Sequence, residues 1–268
     1  MVFRQGGGYA PPAMNRAFRT HAPALLGLAV LVGCGDKESR VDEMLAEADS
    51  AAPTAAPAPP PSDEKTMPTL LVDLDGIVVG TTRIKKLKTD ADKAKVETAV
   101  ADLPYTSDPV KIRVLKKAKT PFVSELVWQL GKAGAKSIII KTDARDDLAQ
   151  ELRLAPESSL GEVPECSVAA MVTKSADTGV WPFKGGGGRK HSKGFAGPDL
   201  TNTEATIKKR LEACESDVAL FSAAENMGWE HAFNMGALLV RADEKKKIKK
   251  LILLGIEPVA GRSIELRK

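Results

Sequence analysis

Apolar residues come in short blocks from about residue 69 onwards, and the first two blocks predict a β-hairpin. The runs 70–72 and 77–79 consist of Leu, Val and Ile, and they flank the turn dipeptide Asp75-Gly76. β-Favouring runs on both sides of such a dipeptide are the strongest short-range signal for a hairpin. We therefore expect two antiparallel strands at the start of the folded sequence.

The residues that follow predict a helix, a strand, a second helix and a final strand. The second helix is expected to begin with Thr120 as its cap and Pro121 at its first position, where the missing N–H costs nothing. Helical spacing of apolar residues predicts the two helices, at Val96, Val100 and Leu103 after a polar start at Thr89-Asp90, and at Phe122, Leu126, Val127 and Leu130. Alternation with basic residues predicts a strand at Ile112 and Val114, and the apolar run 138–140 predicts the final strand. The order is ββαβαβ.

The second half of the chain repeats this order at an offset of roughly 100 residues, the size of a small domain. The predicted strands lie at 167–173, at Val180-Trp181, at 218–222 and at 251–254. One predicted helix begins with a capping box at Thr201 and Glu204, and the other has Trp229, Phe233, Gly236 and Val240 on one face. The predicted fold class is α+β, with two small ββαβαβ units and mixed sheets after a disordered N-terminal tether. We place the units at 67–150 and 160–268.

The N-terminal residues indicate a lipoprotein signal followed by a tether. A basic stretch leads into an apolar run of about 11 residues at 22–32, far short of the ~20 that a membrane span needs. Cys34 follows a small residue, as in bacterial lipoproteins, where cleavage before the cysteine leaves it carrying lipid. We expect a signal peptide at 1–33 and a disordered Ala/Pro-rich tether at 34–66.

Two points about this signal stay open. The start is either Met1 or Met14, and an ordinary secretory signal with a chance cysteine is the alternative to lipidation. Gly35 follows the cysteine, which under the enterobacterial sorting rule favours the outer over the inner membrane. The expected location is the bacterial cell envelope, with the folded part facing the periplasm.

The chain has three cysteines. With Cys34 assigned to lipid, Cys166 and Cys214 remain in an oxidising compartment, and we expect a disulfide between them. Two buried thiols that never meet are the alternative, because the sequence does not show whether the two Cα atoms lie within bridging distance.

The net charge of +4 is mild and gives no indication of a nucleic-acid partner. Basic residues cluster at 83–88, 111–119 and 245–250, and a glycine-rich basic loop spans 184–190. Candidate binding residues for acidic envelope polymers are Lys86, Lys117, Arg189 and Lys190; solvated surface charge is the alternative.

Little in the sequence indicates a metal or cofactor site. His191 and His231 have no companion at metal-ligand spacing, and the glycine loop lacks the spacing of a phosphate-binding P-loop. We expect no metal and no cofactor. The three tryptophans, Trp128, Trp181 and Trp229, lie on or near amphipathic faces and are assigned to the core rather than to a sugar-stacking platform.

The first unit resembles the periplasmic domain of the ExbD/TolR family of biopolymer-transport proteins, over about residues 67–142. The matching residues are Val72-Asp73-Leu74-Asp75-Gly76, Ile112-Arg113-Val114, Thr120-Pro121-Phe122 with the helix to Leu130, and Gly134-Ala135-Lys136-Ser137-Ile138. The second unit resembles the same domain as a diverged copy.

The resemblance implies a periplasmic binding role. Its partners would be an ExbB/TolQ-type channel subunit, a TonB/TolA-type protein or peptidoglycan, and two copies in one chain would form an intramolecular pseudo-dimer. In that family a membrane helix with an aspartate takes part in proton flow, whereas the run 22–32 contains no acidic residue. We therefore expect an accessory of a proton-motive-force-driven transport or envelope-maintenance system, without its own proton-carrying helix and without enzyme activity.

Two alternatives stay open. The stretch 71–78 looks like the first motif of haloacid-dehalogenase-type phosphatases, with Asp73 as nucleophile, Asp75 as proton donor and Mg²⁺ as the cation. The spacing to 139–142 and to Asp146-Asp147 does not fit, because that fold needs intervening βα units and a separate lysine. The other alternative is a lipoprotein with a purely structural role in the envelope.

Overall fold

A computed structural model describes residues 66–106, 108–194 and 197–267. The predicted signal peptide, the lipidation site Cys34 and all of the tether before residue 66 lie outside the described residues. The part of the chain that is described belongs to one compact unit, 61–268.

The first half forms a six-stranded sheet with two helices. The strands are β1 (Leu70–Asp73), β2 (Gly76–Val79), β3 (Thr82–Ile84), β4 (Val110–Val114), β5 (Ile138–Lys141) and β6 (Glu151–Leu154), in the order β3-β2-β1-β4-β5-β6. Strands β1, β4 and β5 are parallel to one another, and the other three pair antiparallel with their neighbours. The helices are α1 (Asp90–Ala101) and α2 (Thr120–Lys132).

The second half has the same topology in a five-stranded sheet. Its strands are β7 (Val168–Val172), β8 (Thr178–Pro182), β9 (Arg189–His191), β12 (Val218–Ala223) and β13 (Lys250–Leu253), in the order β13-β12-β7-β8-β9. Its helices are α3 (Leu200–Glu212) and α4 (Trp229–Ala242). A short pair, β10 (Lys193–Gly194) and β11 (Gly197–Pro198), and a 3-10 turn at Glu157–Ser159 complete the described elements.

The α+β class with two similar units is confirmed, and three strands extend the predicted order. Strands β3 and β9 add a third antiparallel strand to each hairpin, and β6 closes the first sheet. Both β3 and β9 have only three residues, with one side chain or none buried, so neither shows the apolar alternation by which strands are recognised. Strand β9 lies in the segment that was expected to be a flexible loop.

Several expected helix details were wrong. Thr120 is the first residue of α2 rather than its cap; Lys119 precedes the helix, and the Thr120 hydroxyl faces the Met227 carbonyl at 3.4 Å. The capping box expected at Thr201 and Glu204 is absent, because Asp199 caps α3 through the Asn202 N–H.

The face of α4 also differs from the prediction at one position. Trp229, Phe233 and Gly236 are buried, but Val240 is 46% exposed near the end of the helix. The Thr89 start of α1 is confirmed, since Thr89 and Asp92 form a capping box there.

The two halves meet where α2 and α4 begin. Lys119 and Gly228, the residues that precede the two helices, form an antiparallel bridge, and the Trp229 N–H donates to the Ala118 carbonyl at 2.7 Å. The Trp229 indole N–H donates to the Thr142 hydroxyl at 2.8 Å in a buried contact between the halves. One hydrophobic core contains the inward-facing residues of both sheets and the buried faces of all four helices.

The disulfide expected between Cys166 and Cys214 is present in the structure. It joins the segment before β7 to the segment before β12, two strands that are paired neighbours in the second sheet.

Candidate functional site

The first sheet has one face packed on its helices and one face open to solvent. Burial alternates along β1, β4, β5 and β6; in β4, Val110, Ile112 and Val114 are buried and Lys111 and Arg113 are exposed. Because successive side chains point to opposite faces, the buried set packs on α1 and α2 and the other set forms the outer face.

The outer-face residues lie in cross-strand rows that mix cationic and apolar side chains. We call this set the open basic face. The register places in one row Arg83, Val78, Leu71, Arg113, Lys141 and Glu151, and in a second row Lys111, Ile139 and Arg153. Leu71, Val78 and Ile139 are half-buried, so the centre of the face is apolar and its surroundings are positively charged.

Three of the basic side chains on this face have no acidic partner. Arg83 pairs with Asp73 at 2.9 Å, and Lys141 lies 3.6 Å from Glu151. Within the described part of the chain, Lys111, Arg113 and Arg153 form no ion pair, and all three are exposed. Arg113 lies directly opposite Lys141 on the neighbouring strand β5. Like charges at such positions repel one another, so an anionic ligand would relieve a repulsion that already exists in the free protein.

Two clefts border the first sheet and share the residue Glu151. One has a volume of about 720 Å³ and lies over β1, β4 and β5; the other has about 420 Å³ and lies where β6 meets β13. Six basic and three acidic side chains line the two clefts: Lys111, Arg113, Lys141, Arg153, Lys246 and Lys249 against Asp108, Glu151 and Asp243. The second cleft is also lined by Leu152, Leu251 and Val240 of α4, and Leu152 and Leu251 belong to the core that the sheets form with the helices. Lys246 and Lys249 therefore border a different cleft from the open basic face.

The same face of the second sheet is covered. Val163, from the segment before β7, and Ile264, from the C-terminal tail, pack on the outward side chains of β7, β12 and β13. The Trp181 indole N–H donates to the Arg262 carbonyl of that tail at 2.9 Å. As a result every residue of β12 is buried.

The register gives the exact counterparts of the open face. The pair Val72 and Val114 in the first sheet corresponds to the pair Val172 and Ala223 in the second. The other residues of these strands are matched by counting along each strand from this pair. Lys111, Arg113 and Lys141 correspond to Leu220, Ser222 and Leu254, whereas Ile139 corresponds to Ile252. Cationic positions in the first sheet are apolar or small in the second.

The residues of the phosphatase alternative are engaged in turn and surface contacts. The Asp73 carboxylate accepts the N–H groups of Asp75 and Gly76 at 2.9 and 3.1 Å, and it pairs with Arg83. These bonds, that of Arg83 foremost, hold the pKa of Asp73 below its usual range. The chain returns at once as β2, so Asp75 lies in a hairpin turn rather than at a strand-to-helix junction.

The second and fourth phosphatase motifs do not assemble around this turn in the manner proposed. Lys141 faces Glu151 on the open face, and Asp147 pairs with Arg145 and with Arg241 of α4. Among the residues that the structure describes, no three His, Cys, Asp or Glu side chains form a group that would hold a metal ion.

The candidate binding residues chosen from the sequence lie apart from the open basic face. Lys86 and Lys117 are exposed in loops after β3 and β4. Arg189 and Lys190 lie on the edge strand β9, where Lys190 pairs with Asp177 at 2.7 Å. The His191 ring is hydrogen-bonded to the Thr206 hydroxyl at 2.9 Å, and His231 lies beside Glu230.

The grouping of Lys111, Arg113 and Arg153 on one face was not predicted from the sequence. The alternation of β4 was visible and predicted a half-buried strand, but nothing in it shows which sheet face stays uncovered. Trp181 and Trp229 are fully buried and Trp128 is 8% exposed, so the assignment of the tryptophans to the core is confirmed.

None of the described helices is long and apolar enough to cross a lipid bilayer. No protein-family model matches the chain, and neither a curated protein nor a solved structure is significantly similar to it.

Proposed function

We propose that this protein is a lipid-anchored envelope binding module, and that the open basic face binds an anionic component of the cell envelope. It would act as an accessory of a proton-motive-force-driven transport or envelope-maintenance system, as the resemblance to ExbD/TolR domains implies. The anchor would be Cys34, with the folded part in the periplasm.

The observation that carries the proposal is the contrast between the two outer faces. The second sheet buries its outer face under two segments of the chain, while the first leaves three unpaired cationic side chains exposed around an apolar centre. Complementary charge steers and orients an anionic partner, and half-buried Leu71, Val78 and Ile139 offer apolar contact. Among the residues that the structure describes, no group of His, Cys, Asp or Glu side chains that could hold a metal ion lies on this face, and the role that we propose is binding.

Peptidoglycan is the ligand that this chemistry fits best in the envelope. Its peptide stems carry carboxylates and its glycan strands are extended, so a broad cleft bordered by Lys and Arg side chains suits both the charge and the shape. The two contacting halves would form the intramolecular pseudo-dimer, with one half specialised for binding and the other for stability.

A sedimentation assay with purified sacculi tests the proposal on the full-length protein in a non-ionic detergent. The triple variant Lys111→Ala, Arg113→Ala, Arg153→Ala is expected to bind at least about 10-fold more weakly, because each lost charge contact weakens binding and each is exposed. The matched control is Lys136→Ala, Lys174→Ala, Lys209→Ala, which removes the same charge from exposed sites outside the face.

Equal binding by both triple variants would refute the open basic face as the binding site. Binding by neither variant nor the parent protein would favour the purely structural role. In cells, a photo-reactive residue at Lys111, compared with one at Lys136, tests the proteinaceous partners. Capture of an ExbB/TolQ-type or TonB/TolA-type protein from Lys111 alone would make that protein, rather than peptidoglycan, the ligand of this face.

A further inference from the structure

We propose that one end of the first sheet docks on the surface of a bilayer that contains anionic lipid. Two exposed leucines and four exposed lysines form this end, which we call the basic tip: Leu74, Leu115, Lys85, Lys86, Lys116 and Lys117. None of these residues belongs to the open basic face, so the inference does not depend on what that face binds.

The strand directions bring the six residues to one edge of the sheet. Strands β1 and β4 are parallel, and β3 runs the same way because β1 and β3 both pair antiparallel with β2. The register places Val72, Ile84 and Val114 in one cross-strand row, and the tip residues follow this row within one to three positions. With strands about 4.8 Å apart, the row from β3 to β4 spans about 14 Å.

Backbone contacts place the loops after β3 and β4 on either side of the hairpin turn. The Leu115 N–H donates to the Val72 carbonyl at 2.9 Å, so the loop after β4 begins beside the turn. On the other side, a Cβ atom on Gly76 would lie 3.0 Å from the Lys85 Cα. The tip is therefore one surface with the hairpin turn at its centre.

The two leucines project from loops into solvent. Leu74 is 57% exposed in the hairpin turn, and Leu115 is 38% exposed directly after β4. Turn positions usually hold Gly, Pro, Asn, Asp or Ser, so the turn itself gives no reason for a leucine. Projecting apolar side chains suit the boundary between headgroups and acyl chains of a bilayer, whereas the partners of apolar anchors at protein interfaces supply pockets.

The charge around the leucines is complementary to anionic headgroups. Within the described residues the four lysines of the tip form no ion pair, and all four are exposed. Asp73 is already paired with Arg83 at 2.9 Å, which leaves Asp75 as the exposed acidic residue of the turn. A lysine near an anionic membrane surface strengthens binding about fivefold, and four of them act together here.

The charge changes beyond β4, and this limits how the tip can dock. Asp143 is exposed after β5, and Glu230 lies beside the loop after β4, where its N–H donates to the Lys116 carbonyl at 2.9 Å. An anionic surface disfavours contact with these carboxylates. We therefore expect β1, β3 and β4 to point at the bilayer, which leaves the open basic face upright and accessible to its own ligand.

Quenching by brominated lipid tests the docking on the full-length protein reconstituted in vesicles of phosphatidylcholine and phosphatidylglycerol. Leu74→Trp adds a fluorophore at the tip, whereas Trp181 and Trp229 are fully buried and Trp128 is 8% exposed. Brominated phosphatidylglycerol should quench the added tryptophan about twofold or more, because interfacial side chains lie about 5–10 Å into the headgroup boundary. The control Val240→Trp, at a 46% exposed site near the end of α4, should not be quenched; equal quenching of both variants, or of neither, would overturn the inference.

The role of charge is tested with two quadruple variants in the Leu74→Trp background. The first removes the lysines of the tip, as Lys85→Gln, Lys86→Gln, Lys116→Gln and Lys117→Gln. The matched control removes four exposed lysines elsewhere, as Lys136→Gln, Lys209→Gln, Lys245→Gln and Lys246→Gln. The first variant should lose most of the quenching and the control should keep it, and about 0.5 M salt should weaken quenching of the Leu74→Trp protein. Full quenching of the first variant would refute docking through the lysines.

An acidic protein is the competing ligand for the same charge. If lipid vesicles give no quenching while a photo-reactive residue at Lys86 captures a protein in cells, the tip binds that protein and the bilayer docking is refuted. The variant without the tip lysines keeps Lys111, Arg113 and Arg153 and should bind sacculi like the parent. Failure of the docking and failure of the proposed function are therefore seen in different variants.

Discussion

The two sheets of this protein share strand order and register, and they differ in what lies over their outer faces. Over the second sheet, Val163 and Ile264 pack on apolar side chains, and the Trp181 indole is hydrogen-bonded to the tail. On the first sheet the outward positions combine exposed cationic side chains with the half-buried side chains of Leu71, Val78 and Ile139. One topology thus supports a stabilising layer in one copy and an accessible surface in the other.

This difference teaches that the repeated unit has a structural side and a variable side. The inward side chains of both sheets join one core with the helices, so substitution there is constrained by packing. The outward positions differ according to whether another segment of the chain packs on them: Lys111 in the first sheet is exposed, and the equivalent Leu220 in the second sheet is buried. Four experiments test this difference between the two sheets.

The largest effect is expected where the cover meets the second sheet. Trp181→Ala removes a fully buried side chain and its hydrogen bond to the Arg262 carbonyl. A large aromatic deletion of this kind costs about 3–5 kcal/mol. Urea unfolding followed by circular dichroism measures the change. Val78→Ala, at a half-buried outward position of the first sheet, is the control, and a loss as large as that of Trp181→Ala would contradict the contrast.

The most closely matched pair is Ile252 and Ile139, which occupy equivalent outward positions. Ile252 is fully buried beneath the cover and Ile139 is half-buried on the open face. Ile252→Ala should lower the free energy of unfolding by about 2–4 kcal/mol, and Ile139→Ala by about 1 kcal/mol or less. Chemical denaturation of both variants measures this, and equal losses would show that the first face is covered in solution.

The cover itself is attached through Arg267. Its Nη1 lies 2.9 Å from the buried Glu125 Oε2, its backbone N–H donates to Glu157, and its guanidinium lies over the Trp128 ring. Arg267→Ala leaves a buried carboxylate without its cation and should cost about 2 kcal/mol, less than a fully buried pair because Arg267 keeps some exposure.

The control for Arg267→Ala is Glu265→Ala, which removes an exposed charge from the same tail and should be neutral. Hydrogen exchange should show faster exchange in β13 of the Arg267 variant, because the tail that covers this strand is loosened. Unchanged exchange in β13 would mean that the tail is held by its apolar contacts alone.

The smallest effect is a difference in pH dependence between the two regions. Burial raises the pKa of Glu157, which accepts the Gly255 and Arg267 N–H groups under the cover. A carboxyl with a raised pKa in the folded state contributes stability at low pH that is lost as pH rises through that pKa. Asp73, on the open face, has a lowered pKa and contributes stability that is lost as pH falls.

Stability curves of Glu157→Gln and Asp73→Asn between pH 3 and 7 check these signs. Compared with the parent protein, the stability of Glu157→Gln should fall less as pH rises, and the stability of Asp73→Asn should rise less as pH rises. If the two substitutions change the slope of stability against pH in the same direction, relative to the parent protein, one of the two environments is misassigned.

The sequence predicted the elements with strong patterns and missed those that depend on their neighbours. The hairpin at Asp75-Gly76 and the helix that starts at Thr89 are confirmed, since turn chemistry and capping are local. Strands β3 and β9 were missed because their three residues show no apolar alternation and are defined by the partner strand beside them. The alternation of β6, with Leu152 and Leu154 beside charged residues, was present in the sequence and was not used. The Asp199 cap was missed because Thr201 and Glu204 offered a rival pattern two residues later.

Periodicity and the cysteine count are properties of the chain itself, and from them the sequence predicted the repeated order of elements, the inward apolar residues and the pairing of Cys166 with Cys214. The signal and Cys34 also follow from the sequence alone and stay predictions. Only the tertiary structure decided which sheet face is covered and which basic residues share a surface. Which face is covered depends on where residues 155–166 and 254–267 pack. The sequence period of a strand shows which side chains share a face, but it does not show which distant segment packs on that face.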